Sequence, residues 1–367
     1  MLVWGRGARL DGAYSRDRVV YRLLGDLGAE LAFFSPRVSP LGDVEARLRP
    51  PGPADLVWVP CFRQRDIAAA ARFARRRGIP LVFDPLISAY DKQVNERGKF
   101  PAGSRDARRL LDRERRRFAR ADVVVADTAG HADYFHEVLR VPRERLVVLP
   151  VGADASVFRP VPPPEPPAHG RPVRLLFYGS FIGLHGVPTI VEALRRYRGP
   201  GIACHFVGDG PARAAAGSAL DALDPDRVRV GFEGWLEIDV LAARIAEADV
   251  VLGIFGTTAK ALRVVPNKVY QALATGRPVI TADTPAYDDR FRPGGTAPLA
   301  FTAPGDPDAL ADAIARWAGD PGRLAERGRA ASELFLRHFS EARLREGLRA
   351  DLERLGVASF APGGTSS

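Results

Sequence analysis

Short runs of β-branched and aliphatic residues alternate along the chain with amphipathic stretches of helical length. In the N-terminal part the apolar runs are Leu56–Pro60, Leu81–Asp84, Asp122–Asp127 and Leu146–Pro150. In the C-terminal part they are Val173–Tyr178, Ile202–Gly208, Val228–Phe232, Asp249–Phe255 and Pro278–Ala282. Between them, Val19, Val20, Leu23, Leu24 and Leu27, and again Val187, Ile190, Val191 and Leu194, recur at helical spacing. Strands that alternate with helices predict parallel sheets, hence an α/β fold. A weak internal echo, FARADVVVADT (Phe118–Thr128) against IAEADVVLGIF (Ile245–Phe255), runs twice from a helix end through Ala-Asp into a buried strand.

The rhythm breaks once. Residues 159–172, RPVPPPEPPAHGRP, hold too many prolines for helix or sheet and stiffen toward polyproline II, so they read as an interdomain linker. The cut leaves halves of about 160 and 195 residues, each long enough for a domain with its own core.

Composition narrows the class. The 367 residues are 46% hydrophobic, ordinary for a globular protein, and no run reaches the ~18 apolar residues that span a bilayer. The start, Met1-Leu2-Val3-Trp4-Gly5-Arg6, lacks the apolar core of a signal peptide. Cys61 and Cys204 are too few for a disulfide framework or a zinc cluster, so a reduced cytoplasmic setting is expected. Of the 53 basic residues only Lys92, Lys99, Lys260 and Lys268 are lysine, and the net charge is +9. That charge suits nucleic acid, an anionic membrane surface or an anionic small substrate, or it is merely a solvated surface. The richest basic stretch, Arg105–Arg120, is interrupted by Asp106, Asp112 and Glu114 and carries a single aromatic, Phe118, rather than interleaved ones, which disfavours nucleic acid and leaves a membrane-facing surface as the better reading.

In doubly wound sheets ligands bind at the carboxyl ends of strands. Two glycine-rich loops fall there: Trp4–Arg18, entering a helix with Ser15 as its expected cap, and YGSFIGLHGVP (Tyr178–Pro188), with Pro188 in the first turn of the next helix. Glycines let backbone N–H groups approach a phosphate, although neither loop has the register of a dinucleotide or P-loop fingerprint and both also suit plain tight turns. The segment Gly253–Asp283, GIFGTTAKALRVVPNKVYQALATGRPVITAD, places Lys260, Arg263 and Lys268 between a strand end and a helix start, where a diphosphate gains from cations and dipole together. No GxSxG, HExxH or CxxC is present. His131 and His136, five apart, make a poor metal pair; His205 should be a satisfied core residue and Glu114 a buried, ion-paired one.

These motifs together resemble the retaining glycosyltransferases of the GT-B fold, family four, over nearly the whole chain. LPVGADASVFRP (Leu149–Pro160) resembles the family's interdomain segment. LLFYGSFIGLHGVPTIVEAL, FVGDGP, VGFEGWL, ADVVLGIF and NKVYQALATGRPVITAD follow in the order of its donor domain, and FLRHFSEARLREGLRADLERLG resembles its closing helices. YSRDRV (Tyr14–Val19) and FDPLISAYD (Phe83–Asp91) are closest to a bacterial subgroup. The resemblance implies two Rossmann-like domains facing each other across a cleft: 1–158 for the acceptor, linker 159–172, 173–337 for the nucleotide sugar, a helix at 338–358 crossing back to the first domain, and a disordered tail at 359–367.

The resemblance further implies transfer of a sugar from a nucleotide-diphosphate sugar to a hydroxyl acceptor (a glycan, a lipid-linked or a small molecule) with retention, no cofactor and no bound metal. Where the family carries arginine and lysine in the donor loop this chain has Ser180 and His185, and its two glutamates fall on Arg263 and Gln271. Catalytic work is therefore expected of Lys268 and Arg263, with His185 assisting. Gly179, Ser180, Gly186, Gly234, Lys260, Asn267 and Gln271 would bind the donor, and Trp235 either stacks on its base or belongs to the core. On the first domain Tyr14, Arg16, Arg18, Asp84, Ser88 and Asp91 would face the acceptor, and the arginine-rich helices would meet the inner face of a membrane. A sugar-nucleotide epimerase of the same architecture and a catalytically weakened binding protein stand as alternatives.

Overall fold

All nine apolar runs form strands, and every strand lies parallel to its neighbours. The computed structural model describes residues 1–10, 14–162 and 171–358. Residues 163–170 of the expected linker and the expected tail at 359–367 lie outside the described residues. The chain divides into two units: Met1–Gly152 together with the C-terminal residues from Glu341, and Ala153–Ser340.

The first unit runs β1 (Leu2–Trp4), α1 (Ser15–Asp26), β2 (Ala32–Phe34), α2 (Gly42–Leu48), β3 (Val57–Val59), α3 (Ile67–Arg77), β4 (Leu81–Phe83), α4 (Arg105–Phe118), β5 (Val123–Ala126), α5 (Ala129–Glu137) and β6 (Leu146–Val148). Its sheet has the order β2-β1-β3-β4-β5-β6. Strands this apolar are buried on both faces, which is why the sequence shows runs rather than alternation. On one face Trp4, Phe73, Phe83, Phe118 and Phe135 pack together. On the other lie Val19, Val20, Leu23 and Leu24 of α1.

The second unit runs β7 (Val173–Tyr178), α6 (Val187–Arg196), β8 (Ile202–Val207), α7 (Arg213–Leu220), β9 (Val228–Glu233), α8 (Ile238–Glu247), β10 (Val250–Leu252), α9 (Asn267–Ala274), β11 (Val279–Ala282), β12 (Leu299–Thr302), α10 (Pro307–Gly319) and α11 (Leu324–His338). Its strand order is β12-β11-β10-β7-β8-β9, so the winding reverses between β7 and β10. A last helix, α12 (Glu341–Arg354), belongs to the first unit. There Leu344, Leu348 and Leu352, spaced every four residues, join the α1 face of the core, and Glu341 takes a hydrogen bond from Arg22 at 2.5 Å.

Two strands escape the sequence pattern, β2 and β12. Each is an edge strand of three or four residues held by one neighbour. Ser15 proves to be the first residue of α1 rather than its cap; Tyr14 holds the cap position and makes no capping bond. The start of α1 is anchored instead by burial of Arg16 and Asp17. Pro188 does occupy the first turn of α6.

Candidate functional site

The reversal of winding in the second unit brings the loop after β7 against the loop after β10. Glycine makes this possible at two points. Gly186 has φ +64°, and a Cβ there would sit 2.5 Å from the nitrogen of Gly256, while the Phe255 N–H donates to the His185 carbonyl at 3.0 Å. Gly179 has φ +147°, and its missing side chain leaves room for the imidazole of His185, whose Cε1 lies 2.5 Å from where a Cβ would be. Phe181, a non-glycine residue at φ +46°, marks strain in the same loop.

Lys268, in the first turn of α9, is buried. Its ammonium donates to the Gly253 carbonyl at 3.3 Å and lies 4.0 Å from the centre of the Phe177 ring. Burial pushes its pKa well below the usual ammonium range. His185 is pushed down to about 2 by burial and by the charges of Lys268 and Lys260, so its imidazole is neutral at any working pH. Its buried Nδ1 has no hydrogen-bond partner among the described residues. The Tyr178 hydroxyl donates to Gln271 Oε1 at 2.8 Å, which leaves the amide nitrogen of Gln271 as its other polar group, a donor where a carboxylate would accept.

The structure thus gathers Gly179, His185, Gly186, Lys260, Lys268 and Gln271 at one strand-end cluster. Ser180 joins through its carbonyl, which fills the space above Gly210, and Gly234 through its carbonyl, which accepts from the Gly208 N–H at 3.2 Å. Arg263, on the segment between β10 and α9, and Asn267, the first residue of α9, both precede Lys268 and are half-buried. Trp235 is 66% exposed, which removes the core reading. His205 also departs from expectation: it is half-exposed on β8, with Nε2 3.2 Å from Glu233. Sequence reasoning passed over Tyr178, Phe177, Gly208 and Gly210, although FVGDGP already signalled the last two.

In the first unit the strand ends converge on a buried ionic cluster. Arg16 is fully buried; its Nε donates to both oxygens of Asp84, at 2.8 and 3.1 Å, and its Nη1 to the Leu149 carbonyl at 2.9 Å. Burial opposes the guanidinium charge, but Asp84 and Asp127 outweigh it and raise its pKa. Asp84 is itself raised, because burial exceeds the pull of Arg16. Burial also works to raise Asp127, yet its contact with His131 holds it low. Asp17, absent from the expected set, accepts the Cys61 N–H at 3.1 Å and is pushed up to about 6 by burial and by Asp84.

The other acceptor-side candidates divide. Ser88 donates to Glu114 at 2.5 Å and accepts the Asp91 N–H at 3.1 Å. Asp91 accepts from Asn95 at 2.8 Å, so these two buried side chains build the turn after β4. Glu114 accepts the N–H groups of Ala89 and Tyr90 as well. Its partners are a hydroxyl and backbone amides rather than the expected ion pair. Tyr14 is half-exposed and meets the ring of Phe62 edge-on at 5.0 Å; Phe62 itself holds φ +62°. Arg18 is half-buried on α1. Among the described residues no group of three or more His, Cys, Asp or Glu is arranged to hold a metal ion.

Residues 3–152 match the family model described as a glycosyl transferase 4-like domain, and residues 172–320 the one described as glycosyl transferases group 1. No curated protein sequence matches at a significant level. Among solved structures, sucrose-phosphate synthase from Thermosynechococcus elongatus superposes with TM-score 0.71 at 17% identity, over 98% of this chain and 99% of that one. Anabaena HepE in complex with UDP gives 0.65 at 15% identity over 96% and 99%, and has also been solved with UDP-glucose. A glycosyltransferase from Rickettsia africae gives 0.64 at 15% identity, over 97% and 98%. These likenesses span both units and establish the shared fold. With each half matched to a glycosyltransferase domain, the chain belongs to the glycosyltransferases of the GT-B fold.

Proposed function

We propose that the protein is a metal-independent, retaining glycosyltransferase of family four that moves a sugar from a nucleotide-diphosphate sugar to a hydroxyl acceptor. The observation that carries this reading is the cluster of Gly179, His185, Gly186, Lys260 and Lys268 where the winding of the second sheet reverses. Breaking the donor's glycosidic bond leaves negative charge on the β-phosphate while the sugar becomes oxocarbenium-like. Fixed N–H groups of the loop, the start of α6 and the two lysines stabilise that charge in a site from which water is largely displaced. Same-face attack, with the departing phosphate taking the acceptor's proton, accounts for retention without a protein base. HepE has been solved with UDP-glucose, which makes a uridine-diphosphate sugar the first donor to try.

Arg16 and Asp84 organise the acceptor side, with the exposed Tyr14 ring offered to the acceptor itself. A glycan or lipid-linked acceptor fits, and the arginine-rich helices of the first unit would hold the enzyme at an anionic membrane face. The epimerase reading is weaker, since Asp84 is engaged by Arg16 and burial beside Lys268 and Lys260 makes His185 a poor base. Incubation with a panel of nucleotide sugars should release nucleoside diphosphate slowly, and faster with membrane extract as acceptor. Product linkage by NMR should show the donor's anomeric configuration. An inverted linkage refutes retention, and no turnover with any donor refutes the enzyme.

A further inference from the structure

α2 is built inside out. Its buried residues are small or neutralised: Gly42 packs on Pro36 and Trp4, Ala46 is buried, and Asp43 is held by Arg72 and Arg76 at 2.6 and 3.1 Å. The large aliphatic residues of α2 and of the turn that leads into it point the other way. Val38, Leu41, Val44 and Leu48 are 50%, 57%, 47% and 80% exposed. At about 100° per residue, positions 41, 44 and 48 fall on one face, roughly opposite Gly42 and Ala46. A soluble helix of a parallel α/β unit normally shows the reverse pattern.

The surroundings of this face say what covers it. Arg37, Arg47 and Arg49 border it along the chain, and the exposed Arg75, Arg76 and Arg77 end α3, which packs beside α2. Of the nearby acids, Asp43 is buried under two arginines and Glu45 is paired with Arg49 at 3.0 Å. Arg49 and Arg76 are taken up by Glu45 and Asp43, but Arg37, Arg47, Arg75 and Arg77 have no carboxylate partner among the described residues. An apolar strip bordered by such guanidinium groups suits a surface that is apolar inside and anionic at its boundary, which is the chemistry of an anionic lipid bilayer.

We propose that Val38, Leu41, Val44 and Leu48 form a membrane-inserting face, with Arg37, Arg47, Arg75 and Arg77 on the lipid headgroups. This deepens the membrane association proposed above: it moves the contact from the charged face of α4 to α2 and adds insertion to electrostatic attraction. Its failure would leave nucleotide-sugar transfer untouched.

The test is co-sedimentation of the full chain with vesicles of phosphatidylglycerol and phosphatidylcholine, and with phosphatidylcholine alone. The wild type should sediment with the anionic vesicles, and raised salt should weaken but not abolish it. The double variant V44S/L48S should lose about tenfold or more in partitioning. Because both residues are exposed, its melting temperature and its nucleotide binding should match the wild type. A Leu48→Trp variant should show blue-shifted emission on anionic vesicles. Failure of the wild type to sediment, or equal sedimentation of V44S/L48S, overturns the proposal. So does a wild-type dimer in solution that V44S/L48S dissolves, since the face would then cover a second copy.

Discussion

Single residues divide into those whose role is written in the sequence and those whose role depends on burial. Lys268 stood out as one of four lysines, but its contacts with Gly253 and Phe177 are tertiary. Those contacts explain how it serves: an ammonium already stripped of water gains its full charge stabilisation only when an anion arrives. Asp17 gave no sequence signal beyond YSRDRV, because its perturbation comes from burial and from Asp84, sixty-seven positions away. Its pKa near 6, against an ordinary value of 3.8, fixes a sign. Between pH 4 and 6 the folded chain keeps a proton that the unfolded chain releases, so stability falls as pH rises through that window. Asp17→Asn, which keeps an oxygen for the Cys61 N–H, should therefore stabilise the protein by about 1–3 kcal/mol at pH 7.5 and leave it unchanged near pH 4. Thermal melts across that range check this. Equal destabilisation at both pH values would mean that the folded chain does not hold the Asp17 proton more tightly than the unfolded chain.

At the scale of elements, the nine apolar runs were legible because buried parallel strands must be continuously apolar. The short edge strands β2 and β12 were not, since one neighbour's hydrogen bonds need little side-chain signature. The glycine loops were visible as composition, but their purpose is a close approach of two backbones that no local pattern encodes. Gly186→Ala puts a Cβ against Phe255 and Gly256 at a left-handed position. It should lower stability by roughly 2–4 kcal/mol and abolish nucleotide binding. Gly217→Ala in α7, with open space around it, should be neutral or stabilising by up to about 1 kcal/mol. Differential scanning calorimetry of the two variants separates a requirement for glycine from a general intolerance. An unshifted melt for Gly186→Ala contradicts the loop contact. The outward face of α2 was hidden for a different reason: hydrophobic spacing tells which residues share a face, not which way the face points.

Across the whole molecule, the chain builds two six-stranded parallel sheets with its last helix in the first unit, and it shares its fold with structures only 15–17% identical to it. At that identity the architecture persists while the residues at strand ends are free to change. Ser180, His185, Arg263 and Gln271, where the sequence resemblance implies an arginine, a lysine and two glutamates, lie where the donor is proposed to bind. The order of motifs therefore revealed the fold and the class of reaction, whereas the replaced side chains needed coordinates before a chemical role was visible. The most direct measurement is a calorimetric titration of the full chain with UDP and UDP-glucose, repeated on Lys260→Ala. The account predicts binding with Kd below about 1 mM for the wild type and at least about tenfold weaker binding for the variant. No binding of either ligand or of any other nucleotide sugar, or binding that Lys260→Ala leaves unchanged, would contradict a diphosphate site at the strand ends of the second unit.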